Sequence, residues 1–170
     1  MEYGIVTTVC LTSLGITART LHLKTKDCQT RREGAGHVIS EVYLNDLDKW
    51  IMVDSQFGAI PMLGSIPMNT VEFAAALEEE MEELVVLWVS GKEASTNEYD
   101  VEESYYQWIK EYLYYLDTVY YVDTKHGVEP VSIMLLPKGA KAPKIFQKKY
   151  SISMDFYIKS VIDFYPKCEF

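Results

Sequence analysis

Residues 37–54 read HVISEVYLNDLDKWIMVD, two extended runs joined by a short polar turn. HVISEVYL and KWIMVDS are rich in β-branched and aromatic residues with partial alternation, as half-buried strands require. The LNDLD between them is of hairpin length and carries the asparagine and aspartates that turns favour. His37 opens the first run and Asp54 stands near the end of the second. If Tyr43 pairs with Asp48 across the turn, His37 falls directly opposite Asp54; a one-residue change in loop length makes them diagonal neighbours. Both arrangements allow a His–carboxylate contact.

Upstream, ARTLHLKT has the same extended character and is separated from His37 by the polar KDCQTRREGAG, which reads as a mobile connection. Together the three runs predict an antiparallel sheet. In residues 1–14, Ile5, Val9 and Leu14 stand with Val6 and Leu11 at helix-like spacing, and Gly15 follows where a left-handed C-cap sits. A helix ending at Gly15 is therefore expected to pack on that sheet. Downstream, Pro67, Asn69 and Glu72 announce a helix with a capping box, expected to run to about Ser90 before Gly91. Asp100 with Glu103 opens a second one in the aromatic run VEESYYQWIKEYLYYL. YYVDT, VSIMLLP and KYSISMDFYI read as strands, divided by turn signals at Gly127, Pro130, Gly139 and Pro143. The expected fold class is α+β: an N-terminal helix on an antiparallel sheet, added helices and a β-rich C-terminal third, in a single domain over residues 1–170.

The 170 residues are 48 % hydrophobic and 24 % charged, the composition of an ordinary globular protein, and the net charge is −9. That charge repels a phosphate backbone and an anionic bilayer, so neither nucleic acid nor membrane is expected as a partner. Lys138, Lys141, Lys144, Lys148 and Lys149 form the one basic stretch and read as a solvated loop. Cys10, Cys28 and Cys168 are odd in number and scattered, which fits neither a disulfide framework nor a zinc site. No metal or cofactor is expected. With no signal peptide and no long apolar span in the sequence, the chain as given is expected to be soluble and cytoplasmic.

A carboxylate beside an imidazole fixes its tautomer, so that the other ring nitrogen can act as a base toward a nucleophile. LGITART, GHVISEVYL and KWIMVDSQF, in that order and at these spacings, resemble the transglutaminase-like superfamily of papain-like fold, especially its bacterial members. The resemblance covers residues 11 to 58 closely, continues more loosely through GSIPMNTVEF to about residue 75, and leaves the rest of the chain unassigned. It implies that His37 is the general base and Asp54 its orienting acid, in a Cys-His-Asp site for acyl transfer or peptide hydrolysis, with a protein or peptide as substrate.

The family's cysteine sits at the N-terminus of the helix, about four to five turns before the Gly-Ile turn, where helix amides and His⁺ lower its pKa. Counting back from Gly15 by that distance passes Met1, so the chain as given is expected to lack the matching nucleophile and to be inactive. Cys10 would be displaced along the helix by roughly 15–20 Å and reads as a small buried helix-face residue. Cys28 is the remaining substitute, but a loop thiol lacks helix-terminal activation. The alternative is a non-catalytic binding or interaction module that keeps the fold. Elsewhere, His22 reads as an outward strand residue, His126 as part of a turn and Gln56 as a strand end. The aromatic residues of 105–115 read as core with polar tips at the surface.

Overall fold

The structure, a computed structural model, describes residues 2–89 and 98–167, with residues 98–100 as backbone only. In chain order it contains α1 (Glu2–Ser13), β1 (Ala18–Lys24), β2 (Gly36–Leu44), a single 3-10 turn at Asn45–Leu47, β3 (Lys49–Val53), β4 (Ala59–Leu63) and β5 (Ile66–Pro67). There follow α2 (Thr70–Glu78), β6 (Leu84–Trp88), α3 (Glu98–Lys110), β7 (Tyr115–Thr124), β8 (Gly127–Leu135), β9 (Ile145–Phe146), β10 (Tyr150–Ser151), β11 (Phe156–Ile158) and α4 (Val161–Phe164). The class is α+β. A six-stranded sheet has the order β11-β8-β7-β1-β2-β3, beside a three-stranded sheet β5-β4-β6 and a two-stranded ribbon β10-β9. The large sheet is mixed: β11 runs parallel to β8, and its other neighbours are antiparallel.

One face of the large sheet carries Leu21, Leu23 and Ile39, fully buried against Phe73 and Ala76 of α2 and Ile109 of α3. The other face of β1 and β2 receives α1. There the contact is backbone to backbone: a Cβ on Gly4 would lie 2.8 Å from the Val38 carbonyl oxygen. The Ser40 hydroxyl donates to the Gly4 carbonyl at 2.7 Å, and Thr8 donates to Ser40. Gly15 has φ of 78°, as its position after the helix requires. Because α1 seats through Gly4 and threonines, the expected apolar stripe is not its contact face. Ile5, Val6, Val9 and Leu14 are exposed, and so is Cys10, contrary to its reading as buried.

Several elements depart from expectation. The capping box at Asn69 and Glu72 forms, with both reciprocal hydrogen bonds, but α2 ends at Glu78 instead of continuing to residue 90. Glu78, Glu79 and Glu80 bring like charge to the negative end of the helix dipole, and Glu80 turns the chain with φ of 50°. The β-branched run that follows becomes β6 and pairs along β4. Neither β4 nor β5 is expected from the sequence. The run EYLYYL leaves α3 after Lys110, since Tyr115 and Leu116 already belong to β7, where Leu116 pairs with both β1 and β8. Pro130 is no turn; it lies within β8 opposite Tyr121. KYSISMDFYI divides into β10 and β11. The helix start assigned to Asp100 involves a side chain outside the described residues.

A buried ion pair joins these parts. Arg19 and Glu41 are register partners on β1 and β2, and Arg19 donates to Glu41 Oε2 through Nε at 3.0 Å and Nη2 at 2.6 Å. Oε1 of Glu41 accepts from the backbone and hydroxyl of Thr70 and from the Tyr165 hydroxyl. Arg19 also bonds Tyr120 and the Phe164 carbonyl, with its guanidinium over the rings of Trp50, Phe164 and Tyr165. The sheet, the start of α2 and the α4 segment thus converge on one carboxylate.

Candidate functional site

Tyr43 pairs with Trp50, and Leu44 with Lys49, because the turn takes in residues 45–48 and Asp48 adopts φ of 50°. The expected register, Tyr43 against Asp48, is therefore shifted by two residues. A shift by two keeps every side chain on its face, so His37 and Asp54 become diagonal neighbours on the same side of the sheet. His37 Nε2 donates to Asp54 Oδ2 at 2.8 Å, with the two side chains 4 % and 0 % exposed. That bond assigns the proton to Nε2 and leaves Nδ1 as the second nitrogen.

Asp54 is held from three sides. Tyr105 of α3 donates to the same Oδ2 at 3.2 Å, and the Gln56 backbone amide donates to Oδ1 at 3.1 Å. Its own backbone bonds Ala59 in both directions. Burial, with the Asp54 charge and hydrogen bond added, holds the Tyr105 phenol well above its ordinary range, so it stays a neutral donor. The His37 ring is fixed by Trp108, edge-on at 4.9 Å between centroids, with Phe57 and Tyr112 further out. The aromatic residues of 105–115 are buried or half-buried, as expected, but the Tyr105 and Tyr106 hydroxyls are buried with them instead of reaching the surface, and part of this core forms the wall around the imidazole. The sequence carries a signal for this: Tyr105 and Trp108 share one face of α3, and Tyr112 continues the same spacing in the turn just beyond its end.

β3 leaves β2 after the Ser40–Val53 pair, so the end of β2 toward Gly36 is unpaired on that side. A cavity of about 290 Å³ wraps this free end. His37, Gln56 and Trp108 line it from one face of the sheet, and His22, Lys24 and Val38 from the other, with Phe146 across from Gly36. The first turn of α1, at Gly4, lies against the backbone of Val38 and Ile39 on the Ser40 face of β2, opposite the face that carries the His37 side chain.

His22 is not simply outward. Its Nδ1 donates to Asp117 Oδ2 of β7 at 3.1 Å, and Lys24 donates to Oδ1 of the same carboxylate. Burial and the neighbouring Lys24 ammonium bring the imidazole down to about 4. Asp117 opposes that shift, but its charge is shared with Lys24. Burial brings Lys24 itself down to about 8. Pairing of β1 with β7, about a hundred residues apart in the chain, makes this cluster, and no local sequence signal announces it.

The cysteines lie elsewhere. Cys28 is fully buried among Ala35, Tyr115, Met134 and Leu136, and burial pushes its thiol up, with Lys24 pulling it part of the way back. The connection between β1 and β2 is anchored by this residue, not loose, and the backbone carbonyl of Cys28 accepts from Gln147. Cys10 is exposed in mid-helix, and Cys168 lies outside the described residues. Neither Cys10 nor Cys28 stands at a helix N-terminus. His126 is exposed in the β7–β8 turn, and the five lysines of 138–149 are exposed. Among the described residues, no cluster of three His, Cys, Asp or Glu could hold a metal ion, and no helix is long and apolar enough to cross a membrane. No family model, curated protein or solved structure matches this chain.

Proposed function

We propose that the His37–Asp54 pair is the base and orienter of a transglutaminase-like Cys-His-Asp site, acting on a protein or peptide acyl group. The observation that carries this reading is the 2.8 Å bond from His37 Nε2 to a fully buried Asp54, at the edge of a cavity. In such a site a thiolate attacks the acyl carbonyl and the carbon–nitrogen bond breaks. His37 gives its proton to the leaving amine, and a thioester remains. An amine or water then attacks the thioester, returns a proton to His37 and releases the thiolate. Tyr105 and the Gln56 amide act through Asp54 as positioning groups.

Cys10, exposed in mid-helix, and Cys28, buried away from the imidazole, do not serve this base, so neither is expected to support acyl transfer. Turnover abolished by Cys28→Ser would overturn that statement. The role of His37 is tested by installing a thiol at Gln56, which lines the same cavity from the same face of the sheet. In Gln56→Cys, which keeps the backbone amide bound to Asp54, alkylation of the new thiol by iodoacetamide near neutral pH, followed site by site by mass spectrometry, should run about tenfold faster than in Gln56→Cys with His37→Ala, through a raised thiolate fraction. Equal rates would sink the catalytic reading. They would leave the second reading, a binding module of the same fold, which is favoured by the aromatic clamp on His37 and by the full engagement of Asp54 as in a structural hydrogen bond.

A further inference from the structure

The backbone of β2 serves its two neighbours by turns. Thr25 donates to the Ala35 carbonyl at one end of the pairing with β1, and Tyr43 donates to the Thr17 carbonyl at the other. Those bonds put the odd residues of β2, His37 and Ile39 among them, in hydrogen-bonded pairs with β1. The even residues Gly36, Val38 and Ser40 therefore point N–H and C=O at the opposite edge. Ser40 meets Val53 of β3 there. Val38 and Gly36 do not, because β3 ends at Val53 and the Asp54 amide turns to the Ala59 carbonyl. Neither the backbone N–H nor the C=O of Val38 or Gly36 has a hydrogen-bond partner among the described residues. Val38 is nevertheless only 6 % exposed, and a buried amide without an acceptor is costly.

Two donors and two acceptors thus alternate along one line at strand spacing, facing the cavity. Their complement is another main chain. We propose that an extended peptide adds to this edge as a short antiparallel strand in line with β3 and is read through its backbone. In that pairing the peptide residue opposite His37 carries its side chain on the His37 face, where Gln56 and Trp108 also line the cavity. A second copy of this chain suits the edge less. Only residues 36–38 are free, they lie between cavity walls, and two chains of net charge −9 repel each other. The proposal rests on the reading of His37 as a base only in calling the peptide a substrate.

Amide hydrogen exchange of the whole chain, followed residue by residue by NMR, tests this. In the free chain the Val38 and Gly36 amides should exchange faster than those of His37 and Ile39. Three acetylated and amidated pentapeptides serve as probes: Ala-Thr-Gln-Thr-Ala, Ala-Val-Lys-Val-Ala and Ala-Ser-Leu-Ser-Ala. At about ten times its binding midpoint, each of at least two should slow exchange at Val38 about tenfold. N-methylation of alternate peptide residues, two and four in one series and one, three and five in the other, should weaken binding about tenfold in one series only. Val38→Pro removes an edge donor and leaves the β1 pairing its bonds, so it should weaken binding by a similar factor; if it does not fold, the methylated peptides decide. Slow Val38 exchange in the free chain, protection by fewer than two peptides, or equal loss in both methylated series would overturn the proposal. So would protection that grows with protein concentration when no peptide is present, which would assign the edge to a second copy. Peptide docking without His37-dependent alkylation would retain the edge and reject the catalytic reading; the reverse result would reject the edge alone.

Discussion

The two histidines of this cavity are each tied to a carboxylate, but by different nitrogens and with different exposure. His37 offers Nε2 to Asp54 and is almost sealed, whereas the His22 side chain offers Nδ1 to Asp117 and remains 38 % exposed. The difference has a consequence for pH. His22 titrates at about 4 in the folded chain, against an ordinary value of 6.5, so the unfolded chain holds more protons between those values. The associated stability is fully present above pH 6.5, declines as the pH falls, and is lost by pH 4. Urea midpoints of the wild type should therefore drop further between pH 7 and pH 4.5 than those of His22→Gln. At the same scale, Tyr105→Phe removes one hydrogen bond to Asp54 and should cost about 1 kcal/mol in urea unfolding. Asp54 keeps His37 and the Gln56 amide, so the variant should remain folded.

Among the elements, α1 owes its position to the smallest side chain in it. Exchanging glycine for alanine inside a helix ordinarily gains up to about 1 kcal/mol. At Gly4 the added methyl would lie 2.8 Å from the Val38 oxygen and 2.9 Å from the Ile39 carbonyl carbon, both backbone atoms. Gly4→Ala should instead destabilise by about 1–3 kcal/mol, read by thermal denaturation. The stripe Ile5, Val9 and Leu14 marks a helix in the sequence but misleads about its buried face, because spacing reports periodicity and not how closely two backbones approach. Extended runs at residues 18–24, 36–44 and 49–53 are legible through β-branched and aromatic enrichment. The close of α2 is not, since AALEEEMEEL continues a helical composition past the residue where Glu80 reverses the chain. His37 and Asp54 could be brought together from the sequence because only a short turn separates their strands. Asp117 could not, because its neighbours on β1 arrive by long-range pairing.

For the molecule as a whole, the Arg19–Glu41 pair has the largest expected effect. A charge stripped of its partner inside a protein costs about 3–5 kcal/mol, so Glu41→Ala should lower stability by that order in chemical denaturation. It would strand the Arg19 guanidinium and the donors of Thr70 and Tyr165 together. Replacing both partners, Arg19→Met with Glu41→Leu, should recover part of the loss and not all of it, because the Thr70 and Tyr165 donors stay unmatched. The signal for this pair is present in the sequence: Arg19 and Glu41 sit in two apolar strands at positions that face one another once β1 and β2 are aligned. It is hidden from local reading because Tyr165, which completes the carboxylate's coordination, stands 124 residues from Glu41.

That distance sets an order of events during folding. On a ribosome, β1 and β2 emerge early and can pair at once, but water keeps access to Glu41 until Thr70 and then Tyr165 have been synthesised. Closing so long a loop carries an entropy cost that local hairpins do not. The hub is therefore a late latch: a nascent chain that has not reached residue 165 holds an ionised pair in a half-built interior, the kind of open, sticky intermediate that chaperones bind.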